Sequence, residues 1–317
     1  MRILVTGGAG FIGSNIVECL LDDKRVTLVR VLDNFMTGAR TNIENFIGHP
    51  RFELYEGDIR SIDTCRAACT GIDLISHQAA LGSVPRSVND PLTTNDINIT
   101  GTLNIFTAAK DNKVKRVVYA ASSSTYGDHP GLPKVEDKIG NPLSPYAVTK
   151  LVNELYAQVY ASLYGIEMIG LRYFNIFGPR QNPNGPYAAV IPLFAEALLK
   201  NKPPVINGDG QHSRDFTYVD NAVQANVLAL FTTDAAAINT VYNIACGMQT
   251  SLIQLFEGLK KEAGSDLQPI HGPERMGDVK HSLADISKAK KLLGYKVTVS
   301  IEEGLRKTFQ WYKTQIV

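Results

Sequence analysis

Cysteine, long apolar runs and an excess of one charge are all scarce in this sequence. The chain of 317 residues has four cysteines, and two of them, Cys65 and Cys69, are four residues apart in a segment with helical spacing. A metal site would need two more ligands nearby, so we predict neither a metal site nor a disulfide. The N-terminal apolar run is short and is interrupted by glycines, which predicts neither a signal peptide nor a membrane span. We therefore expect a cytoplasmic protein.

Charges of the two signs are almost balanced, with 32 basic and 31 acidic residues and a net charge of +1. Such a chain has no overall field that would attract nucleic acid or an anionic membrane, so we expect neither as a partner. An anionic ligand would have to be met by a few local cations. The sequence also has no internal repeat and no low-complexity tract. These absences leave a globular protein whose partners are small molecules.

Short apolar runs alternate with amphipathic stretches in the first half of the chain, which is typical of a parallel sheet with helices on both faces. We predict strands at Arg2–Thr6, Thr27–Leu32, Phe52–Glu56, Leu74–His77, Val117–Ala121 and Glu167–Leu171. Helical spacing occurs at Phe11–Leu21, Ile62–Ala68, Ile97–Asp111, Ala147–Tyr164, Leu252–Glu262, Ile286–Leu293 and Ile301–Tyr312. After Tyr173 the strand-like pieces become shorter. The pattern predicts a doubly wound α/β fold with a smaller mixed C-terminal lobe.

The segment GGAGFIG lies between a predicted strand and a predicted helix, which is the context of a dinucleotide-binding fingerprint. Gly7, Gly10 and Gly13 allow a tight turn and the close approach of a pyrophosphate, whose charge would meet free amides and the positive end of the helix. Phe11 and Ile12 begin that helix and belong to the same predicted site. A glycine turn without a ligand is the alternative, but the context favours a cofactor.

Asp33 ends the second predicted strand, about twenty residues after the last glycine, where a carboxylate can accept hydrogen bonds from the adenosine ribose. It would repel a 2′-phosphate, and Asn34 rather than an Arg follows it, so we predict NAD rather than NADP. Further cofactor contacts are predicted near the ends of later strands, at Asp58, Ile59, Ala79 and Ala80. Asp58 is equally compatible with a helix N-cap. We assign residues 1–174 mainly to an NAD-binding domain and residues 175–317 mainly to a substrate-binding lobe, with some chain crossing back to the sheet.

Tyr146 and Lys150 are four residues apart on a predicted helix, so they share one face. A free phenol is a poor base at neutral pH, and a nearby ammonium lowers the pKa of such a group by stabilising its anion. Ser122 comes at the end of a central predicted strand, where ligands bind in this fold, and Ser123 and Ser124 follow it. We predict that Tyr146 is a base and that Ser122 bonds the reacting hydroxyl. An exposed helical pair without a catalytic role is the alternative interpretation of the Tyr and Lys spacing.

The chain resembles the extended short-chain dehydrogenase/reductases, and among them the UDP-sugar 4-epimerases, in Asp33 and in the segments GGAGFIG, SSSTYGDHP and SPYAVTK. The likeness covers nearly the whole chain. Longer segments are most similar to the branch that interconverts UDP-N-acetylglucosamine and UDP-N-acetylgalactosamine; they are HQAALGSVPRS, LRYFNIFGPRQNPNGPYAAVIP, NGDGQHSRDF and GDVKHSLAD. The resemblance implies oxidation of the sugar at C4 by bound NAD, rotation of the 4-keto sugar and return of the hydride to its other face.

The same resemblance implies roles for individual residues. Tyr146 is the base, Lys150 binds the nicotinamide ribose and Ser122 shares the proton relay. The residues implied in substrate binding are Gly82, Ser83, Ser122, Ser123, Ser124, Asn175, Ala189, Val190, Arg214, Arg275, Asp278 and Ser282. In the family, a small residue at the position of Ser282 goes with acceptance of the N-acetyl group. For the two arginines a surface salt bridge is the alternative, and for Ser282 it is the start of a helix.

Other functions stay open on the sequence. UDP-N-acetylglucosaminuronic acid would need a cation for its carboxylate, for which Arg86 is a candidate, and UDP-glucose is another alternative substrate. A 4,6-dehydratase is disfavoured because Ser123 and Ser124 stand where that family has Asp and Glu. An NAD-binding regulator without turnover is disfavoured by the Ser, Tyr and Lys set. The resemblance also implies a homodimer formed through the helices at Ile97–Asp111 and Ala147–Tyr164.

Overall fold

The structure is a computed structural model that describes residues 1–183, 188–273 and 280–316. Its centre is a seven-stranded parallel sheet. The strands of this sheet are β1 (Arg2–Thr6), β2 (Leu28–Asp33), β3 (Phe52–Glu56), β4 (Leu74–His77), β5 (Arg116–Ser122), β6 (Glu167–Tyr173) and β11 (Thr240–Ile244). Short strands pair outside it, namely β7 (Ile176–Phe177) with β10 (Thr217–Tyr218), β8 (Val205–Asn207) with β13 (Ile270–Gly272), and β9 (Ser213–Arg214) with β12 (Thr250–Ser251).

The strand order in the sheet is β11-β6-β5-β4-β1-β2-β3. The chain therefore winds outward from β1 through β2 and β3, and then returns to place β4 on the other side of β1. This reversal leaves a crevice between the carboxyl ends of β1 and β4, where ligands bind in doubly wound sheets. The prediction of a doubly wound, Rossmann-type α/β fold is confirmed.

Helices cover both faces of the sheet. They are α1 (Phe11–Asp22), α2 (Ile62–Cys69), α3 (Val84–Asn89), α4 (Pro91–Asn95), α5 (Thr102–Asp111), α6 (Pro145–Tyr164), α7 (Val190–Leu199), α8 (Val219–Phe231), α9 (Leu252–Ala263) and α10 (Ile301–Ile316). α1 and α8 pack together on one face, and α2, α5 and α6 cover the other. Within the described ranges, every helix is too short or too polar to cross a membrane.

Strand β1 contributes to two hydrophobic cores at once. Ile3 and Val5 pack in the core on the side of α1 and α8, whereas Leu4 packs in the core on the side of α2 and α5. Side chains alternate between the faces of a strand, so a strand that is covered on both sides is apolar throughout. This burial fixes the carboxyl end of β1, and with it the glycine turn that follows.

The six strands predicted in the first half are all present, and their ends differ from the prediction by at most two residues. The predicted helix Ile97–Asp111 is wrong in its first part, because Asp96–Gly101 is a π-helix and α5 begins only at Thr102. Asn98, which is buried in this π-helix, donates to the Leu81 carbonyl and accepts from the Leu81 nitrogen. These two hydrogen bonds attach the π-helix to the loop after β4. Short π-helices of this kind are frequent at functional sites.

Helix α8 shows why the later part of the chain is harder to predict. It is apolar around most of its surface and buries Asn221 and Asn226, so it lacks the one-sided spacing that marks a surface helix. α3, α4 and α7 were not predicted either, and the segment predicted as helical at Ile286–Leu293 contains a π-helix at Ala289–Leu293. Residues 1–174 supply six strands of the main sheet and β11 comes from the later part. The division into an NAD-binding domain and a substrate-binding lobe stays a prediction.

Candidate active site

Two adjoining cavities lie at the carboxyl ends of the strands. The first has a volume of about 590 Å³ and contains the crevice between β1 and β4. The second has a volume of about 560 Å³ and is lined mostly by residues after 174. They share walls at Gly82, Val84, Asn175, Ile176 and Gln181. A molecule in one cavity can therefore meet a molecule in the other.

Most of the predicted site residues line these cavities. The first is lined by Gly7, Gly10, Phe11, Ile12, Gly13, Asp33, Asn34, Asp58, Ile59, Ala79, Ala80, Gly82, Ser122, Ser123, Ser124, Tyr146, Lys150 and Asn175. The second is lined by Gly82, Ser83, Asn175, Ala189, Val190 and Arg214. Ser282 lines neither cavity, and Arg275 and Asp278 lie outside the described residues. The structure brings the other residues together, and their individual roles stay predictions.

The glycine turn lets α1 approach β1 and β4 closely. Gly7 has a φ of 67°, and a Cβ atom there would lie 2.7 Å from the Ala79 nitrogen. A Cβ atom at Gly13 would overlap the Gly7 carbonyl. Gly10 caps α1 with an extended backbone and no side-chain hydrogen bond. The first-turn amides of α1 thus lie at the cavity wall at the positive end of the helix, an arrangement that suits a pyrophosphate.

Asp33 is buried at the end of β2. Its carboxylate accepts hydrogen bonds from the Ala9 nitrogen at 2.9 Å and from the Phe35 nitrogen at 2.8 Å. Burial raises the pKa of Asp33, and these backbone hydrogen bonds oppose the rise. Each oxygen keeps a lone pair for another donor. The carboxylate can therefore also accept hydrogen bonds from the two hydroxyls of a ribose.

Asp58 lies beside Asn34 at the wall of the first cavity. Its Oδ2 accepts from Asn34 Nδ2 at 2.8 Å and from Arg60 Nη2 at 2.7 Å, and the hydrogen bond with Arg60 lowers the pKa of Asp58 to about 2. The alternative that Asp58 caps α2 is wrong, because the cap is Ser61, whose hydroxyl accepts from the Thr64 nitrogen. The ionised carboxylate suits a hydrogen-bond donor such as the amino group of adenine.

The sequence before Tyr146 sets its position. The Ser144 hydroxyl caps α6 by accepting from the Ala147 nitrogen at 3.1 Å, and Pro145 occupies the first helical turn, where its fixed φ is favourable. Tyr146 therefore lies at the start of a long helix, at the edge of the cavity. Lys150 follows one turn later on the same face and is buried.

Ser122, Tyr146 and Lys150 meet where β5 and α6 converge on the first cavity. Ser122 Oγ accepts from the nitrogen of Ser124 at 3.2 Å and from its hydroxyl at 2.9 Å, and the Ser122 side chain lies close enough to Tyr146 to lower the pKa of its phenol. Because Ser124 donates to both lone pairs of Ser122 Oγ, the Ser122 proton is available for another acceptor. Lys150 Nζ donates to the Ala120 carbonyl at 2.8 Å and lies 5.8 Å from the centre of the Tyr146 ring.

Burial dominates the acidity of this group of side chains. It raises the pKa of Tyr146, and the hydrogen bond with Ser122 opposes the rise. We expected Lys150 to lower the pKa of this phenol below its ordinary value. The net effect of the surrounding protein is the opposite, because burial outweighs the groups that favour the phenolate. Burial also lowers the pKa of Lys150 to about 8, against the opposing charge of Glu154. A Tyr146 phenolate thus needs a further positive charge nearby, and the oxidised nicotinamide ring of NAD carries one.

Arg214, Asn175 and Ser282 are held around one short segment of the second half. Arg214 Nη1 donates to the Ser213 carbonyl at 3.0 Å and to the Lys280 carbonyl at 3.2 Å. Asn175 Nδ2 donates to the carbonyl of Asp215, the residue after Arg214, at 3.3 Å. Ser282 donates its backbone N–H to the Ser213 carbonyl at 3.1 Å and lies between two isolated β-bridges. The alternative that Ser282 starts a helix is therefore wrong.

Gln78 and Tyr173 also line the first cavity, although the sequence did not lead us to them. The Tyr173 hydroxyl donates to Gln78 Oε1 at 3.0 Å and accepts from Asn226 Nδ2 at 2.7 Å. Tyr173 is paired with Ser122 across β6 and β5, so this polar network lies beside the catalytic candidates. Gln78 directly follows β4. The rule that ligands bind beyond the carboxyl ends of the strands, which led us to Ala79, therefore applies to Gln78 as well.

The cysteines and the acidic and histidine side chains do not suggest metal chemistry. No group of three or more His, Cys, Asp or Glu residues that could hold a metal ion occurs in the part of the chain that the structure describes. Cys65 and Cys69 are free thiols, and burial raises the pKa of both to about 12. Thiols of this kind are unreactive at neutral pH.

Comparison with known proteins agrees with this geometry. The model of the NAD dependent epimerase/dehydratase family matches residues 3–245. The structure of UDP-N-acetylglucosamine 4-epimerase from Methanobrevibacter ruminantium, in complex with UDP-N-acetylmuramic acid, is 41% identical with a TM-score of 0.93 and covers 99% of this chain and 98% of its own. UDP-glucuronic acid 4-epimerase from Bacillus cereus, in complex with UDP-glucuronic acid and NAD, is 35% identical with a TM-score of 0.92, and the alignment covers 100% of both chains. UDP-glucose 4-epimerase from Mycolicibacterium smegmatis is 36% identical, and 99% of each chain is covered.

The shape and polar groups of the first cavity also fit the cofactor of this family. Its glycine turn leaves space that a Cβ atom would fill, its wall includes the start of α1, and Asp33 stands where a ribose would lie. These features suit a dinucleotide with a pyrophosphate and a free 2′-hydroxyl. The chain therefore belongs to the NAD dependent epimerase/dehydratase family and is an NAD-dependent enzyme.

Proposed function

We propose that this enzyme is a UDP-sugar 4-epimerase that interconverts UDP-N-acetylglucosamine and UDP-N-acetylgalactosamine. The observation that carries the proposal is the position of Ser122, Tyr146 and Lys150 in the first cavity, which adjoins the second cavity with Arg214. A sugar at the junction can present its 4-hydroxyl to Tyr146 while its diphosphate reaches Arg214. The three similar proteins described above are all UDP-sugar 4-epimerases, which supports the proposal.

In this proposal NAD occupies the first cavity. When bound, NAD would supply the hydride acceptor for oxidation of the sugar at C4 and the hydride donor for its return to the opposite face. The amides beside Gly10 meet its pyrophosphate, Asp33 binds the adenosine ribose, and Lys150 binds the nicotinamide ribose. The remaining proposed cofactor contacts are Gly7, Phe11, Ile12, Gly13, Asn34, Asp58, Ile59, Ala79, Ala80 and Tyr146.

Tyr146 is the proposed general base. Its oxygen takes the proton of the 4-hydroxyl as the C4–H bond breaks, and it gives the proton back when the 4-keto sugar is reduced. The Ser122 hydroxyl is the proposed donor to the Tyr146 oxygen, and its nearness favours the phenolate by lowering the pKa of Tyr146. Ser122 is also placed to bond the reacting oxygen of the sugar. Both groups must serve either face of the sugar, because the same side chains act before and after it turns.

Turning the sugar requires a firm hold on UDP and a loose hold on the hexose. Arginine suits the first task, because its guanidinium matches the charge and geometry of a diphosphate. Small side chains suit the second, because a tight sugar site would oppose the rotation. The proposed UDP contacts are Asn175, Arg214, Arg275 and Asp278. The proposed sugar contacts are Gly82, Ser83, Ser122, Ser123, Ser124, Ala189, Val190 and Ser282.

The walls of the second cavity favour a neutral N-acetylated sugar over a uronic acid. Gly82, Ser83 and Ala189 leave room beside the shared wall. A uronic acid would need a cation near its carboxylate, and Arg86, the candidate, does not belong to the described residues that line either cavity. UDP-glucose remains an alternative substrate, which the similarity to the Mycolicibacterium enzyme supports.

Two other functions fit the site less well. A 4,6-dehydratase needs an acid/base pair that removes water from the sugar, whereas Ser123 and Ser124 follow Ser122 in a short 3₁₀-helix and neither carries a carboxyl group. A regulator that binds NAD without turnover would not need a proton relay between Ser122 and Tyr146. Tight binding of NAD without any reduction that depends on a sugar would favour the regulator.

A substrate panel tests the proposal. The purified enzyme, supplied with NAD, is incubated separately with UDP-N-acetylglucosamine, UDP-glucose and UDP-N-acetylglucosaminuronic acid, and the configuration at C4 is followed by proton NMR. We expect the first substrate to be converted fastest, with its UDP and acetyl groups retained. If the uronic acid or UDP-glucose reacts faster, that sugar is the preferred substrate instead. If none of the three substrates is converted, the proposed epimerase function is refuted.

Replacing Ser282 by Tyr is expected to lower kcat/KM for UDP-N-acetylglucosamine about tenfold more than kcat/KM for UDP-glucose. The bulky ring would take the space of the N-acetyl group, and rejection by pocket size has effects of this order. The two values are measured side by side in the variant and the parent. Ser287→Tyr, at a nearby exposed position, is the control and should change neither. Equal losses for both sugars in S282Y would contradict this role.

We also propose a homodimer formed through α6 and the neighbouring residues 97–111. Leu155, Val159 and Leu163 are 53%, 47% and 67% exposed, and residues four apart on a helix form one stripe. Exposed apolar stripes of this kind mark interaction surfaces. Leu163→Asp is expected to shift the protein from dimer to monomer in sedimentation velocity, because it places a charge in the stripe. A parent protein that is already monomeric would refute the proposal.

A further inference from the structure

Asp215 is a fully buried carboxylate in the second half of the chain. Its Oδ1 accepts a hydrogen bond from the Cys246 nitrogen at 2.9 Å, and its Oδ2 accepts from the Gly247 nitrogen at 3.0 Å and the Ala284 nitrogen at 3.2 Å. One side chain thus joins two backbone segments that are far apart in sequence. Hydrogen bonds to a charged acceptor are stronger than those between neutral groups.

Two of the proposed UDP-binding groups lie beside Asp215 itself. Arg214 is the preceding residue, and Asn175 donates to the Asp215 carbonyl. Ser282 lies two residues before Ala284 and is bonded to the carbonyl of Ser213. Arg214 and Asn175 line the second cavity, whereas Asp215 itself does not line either cavity among the described residues. Asp215 therefore acts on a ligand only through these neighbours.

The charge on Asp215 weakens the fold near neutral pH rather than strengthening it. Burial raises the pKa of Asp215 to about 6, and its backbone hydrogen bonds oppose the rise. A carboxyl group whose pKa is higher in the folded chain than in the unfolded chain lowers the stability as the pH rises from the unfolded value through the folded value. The carboxylate thus costs stability while it fixes the geometry of the two segments.

We propose that Asp215 is a positioning residue for the diphosphate of the UDP-sugar, which it sets by holding Arg214 and Asn175 against the loops at Cys246–Gly247 and Ala284. This inference rests on the proposed function. It explains how the enzyme keeps UDP in place while the sugar turns. The firm hold on UDP then depends on the hydrogen bonds of Asp215 behind the cavity, and Asp215 does not touch the sugar.

The direct test is Asp215→Asn, which keeps the shape of the side chain. Its NH₂ group must replace one accepting oxygen, so at least one of the three backbone N–H groups loses its partner. We expect the Kd and KM for UDP-N-acetylglucosamine to rise about tenfold or more, whereas kcat at saturating substrate and the Kd for NAD stay within about twofold of the parent, since a lost charge-assisted hydrogen bond has effects of this order. Binding is measured by calorimetry, and folding is checked by the melting temperature.

Glu136→Gln provides a matched control. Glu136 is also buried, and its Oε1 accepts from the backbone nitrogen of Asn243 at 2.9 Å, but it lines neither the first nor the second cavity among the described residues. The same loss of a buried carboxylate there should leave the Kd for the UDP-sugar unchanged. If E136Q weakens UDP-sugar binding as much as D215N does, the loss of affinity comes from a general loss of stability, and the inference fails.

The pH dependence of binding supplies a second readout, and its main measurement is made on the parent enzyme. The titratable groups near Asp215 include the Cys246 thiol, whose pKa burial raises to about 12, and the Tyr295 phenol, whose pKa burial also raises. Arg214 is the adjacent cation, the His281 imidazole is hydrogen-bonded to the Ser213 hydroxyl, and the charge of Glu302 acts on the Cys246 thiol. The diphosphate of a UDP-sugar has no proton to lose between pH 5 and 8. We therefore expect the parent enzyme to lose UDP-sugar affinity as the pH falls through about 6, and D215N to show no such step.

The outcomes separate this inference from the proposed function. If D215N binds the UDP-sugar as tightly as the parent does, or if the parent shows no step near this pH, Asp215 is not a positioning residue although the epimerase stands. If D215N does not fold, the pH profile of the parent decides. If the parent itself does not bind a UDP-sugar at any pH, the proposed function fails first.

Discussion

Tyr146→Phe is expected to lower kcat for epimerisation by about 100- to 10,000-fold, the range over which a general base contributes. The substitution removes the oxygen that takes the 4-hydroxyl proton and keeps the aromatic ring. Ser122 would retain its hydrogen bonds from Ser124 but would have no phenol to donate to. The Kd for UDP-N-acetylglucosamine should stay within about threefold, because the proposed UDP contacts are on other elements. Initial rates by NMR and calorimetric titration measure the two effects.

The matched control is Tyr164→Phe at the other end of the same helix. Tyr164 is exposed, so loss of its hydroxyl removes no proton acceptor from the site, and kcat should be that of the parent. Near-normal turnover by Y146F would show that another group is the base. Loss of UDP-sugar binding in Y146F would instead show that the hydroxyl has a binding role that its position does not suggest.

Gly13→Ala is expected to weaken NAD binding by about 10- to 100-fold, with a parallel loss of activity at limiting NAD. The added Cβ would overlap the Gly7 carbonyl oxygen and would lie 2.8 Å from its carbon and 2.9 Å from Gly8 Cα. These are backbone atoms of the turn itself, so α1 must move away from it. Overpacking of this kind costs about 1–3 kcal/mol, and here the displaced amides are those proposed to meet the pyrophosphate. Fluorescence titration with NAD measures the affinity.

Gly258→Ala is the control for a glycine inside a helix. A Cβ at Gly258 in α9 would approach the tip of the Leu305 side chain at 2.9 Å, and such a flexible group can move aside. NAD affinity should be unchanged, and the helix should gain from the better propensity of alanine. If G13A binds NAD as the parent does, the close contact between α1 and the glycine turn is not what shapes the pyrophosphate site.

The parts of the fold that follow from strong local signals were predicted well. The strands of the main sheet in the first half have apolar runs bounded by turn residues, and β3 and β4 match the prediction residue by residue. The glycine turn and Asp33 were found because their spacing is set by the shape of a dinucleotide. Tyr146 and Lys150 were found because helical spacing places both on one face.

The rest depends on tertiary contacts that local patterns do not contain. The π-helix at Asp96–Gly101 arises where Asn98 bonds Leu81, a residue in a different loop. The direction of the pKa shift of Tyr146 depends on how deeply the ring is buried, and helical spacing alone predicted the opposite direction. Asp58 has the residue type of a cap but bonds Asn34 and Arg60.

The second half shows the same limit more strongly. Asp215 was passed over in the segment NGDGQHSRDF, because a buried carboxylate and an exposed one look alike in a sequence. Its partners, Cys246, Gly247 and Ala284, are at least thirty-one residues away along the chain. Long-range hubs of this kind become visible only when the fold is known.

The most direct test of the central claim follows a deuterium atom at C4. UDP-N-acetylglucosamine with deuterium at C4 is incubated with the enzyme and NAD in ordinary water, and the product is analysed by proton NMR and mass spectrometry. We expect UDP-N-acetylgalactosamine with inverted C4, an intact UDP group and the deuterium still at C4, because the hydride removed from the sugar returns to it. Inversion with loss of the deuterium to water, or no inversion at all by enzyme that has bound NAD and the UDP-sugar, would contradict it.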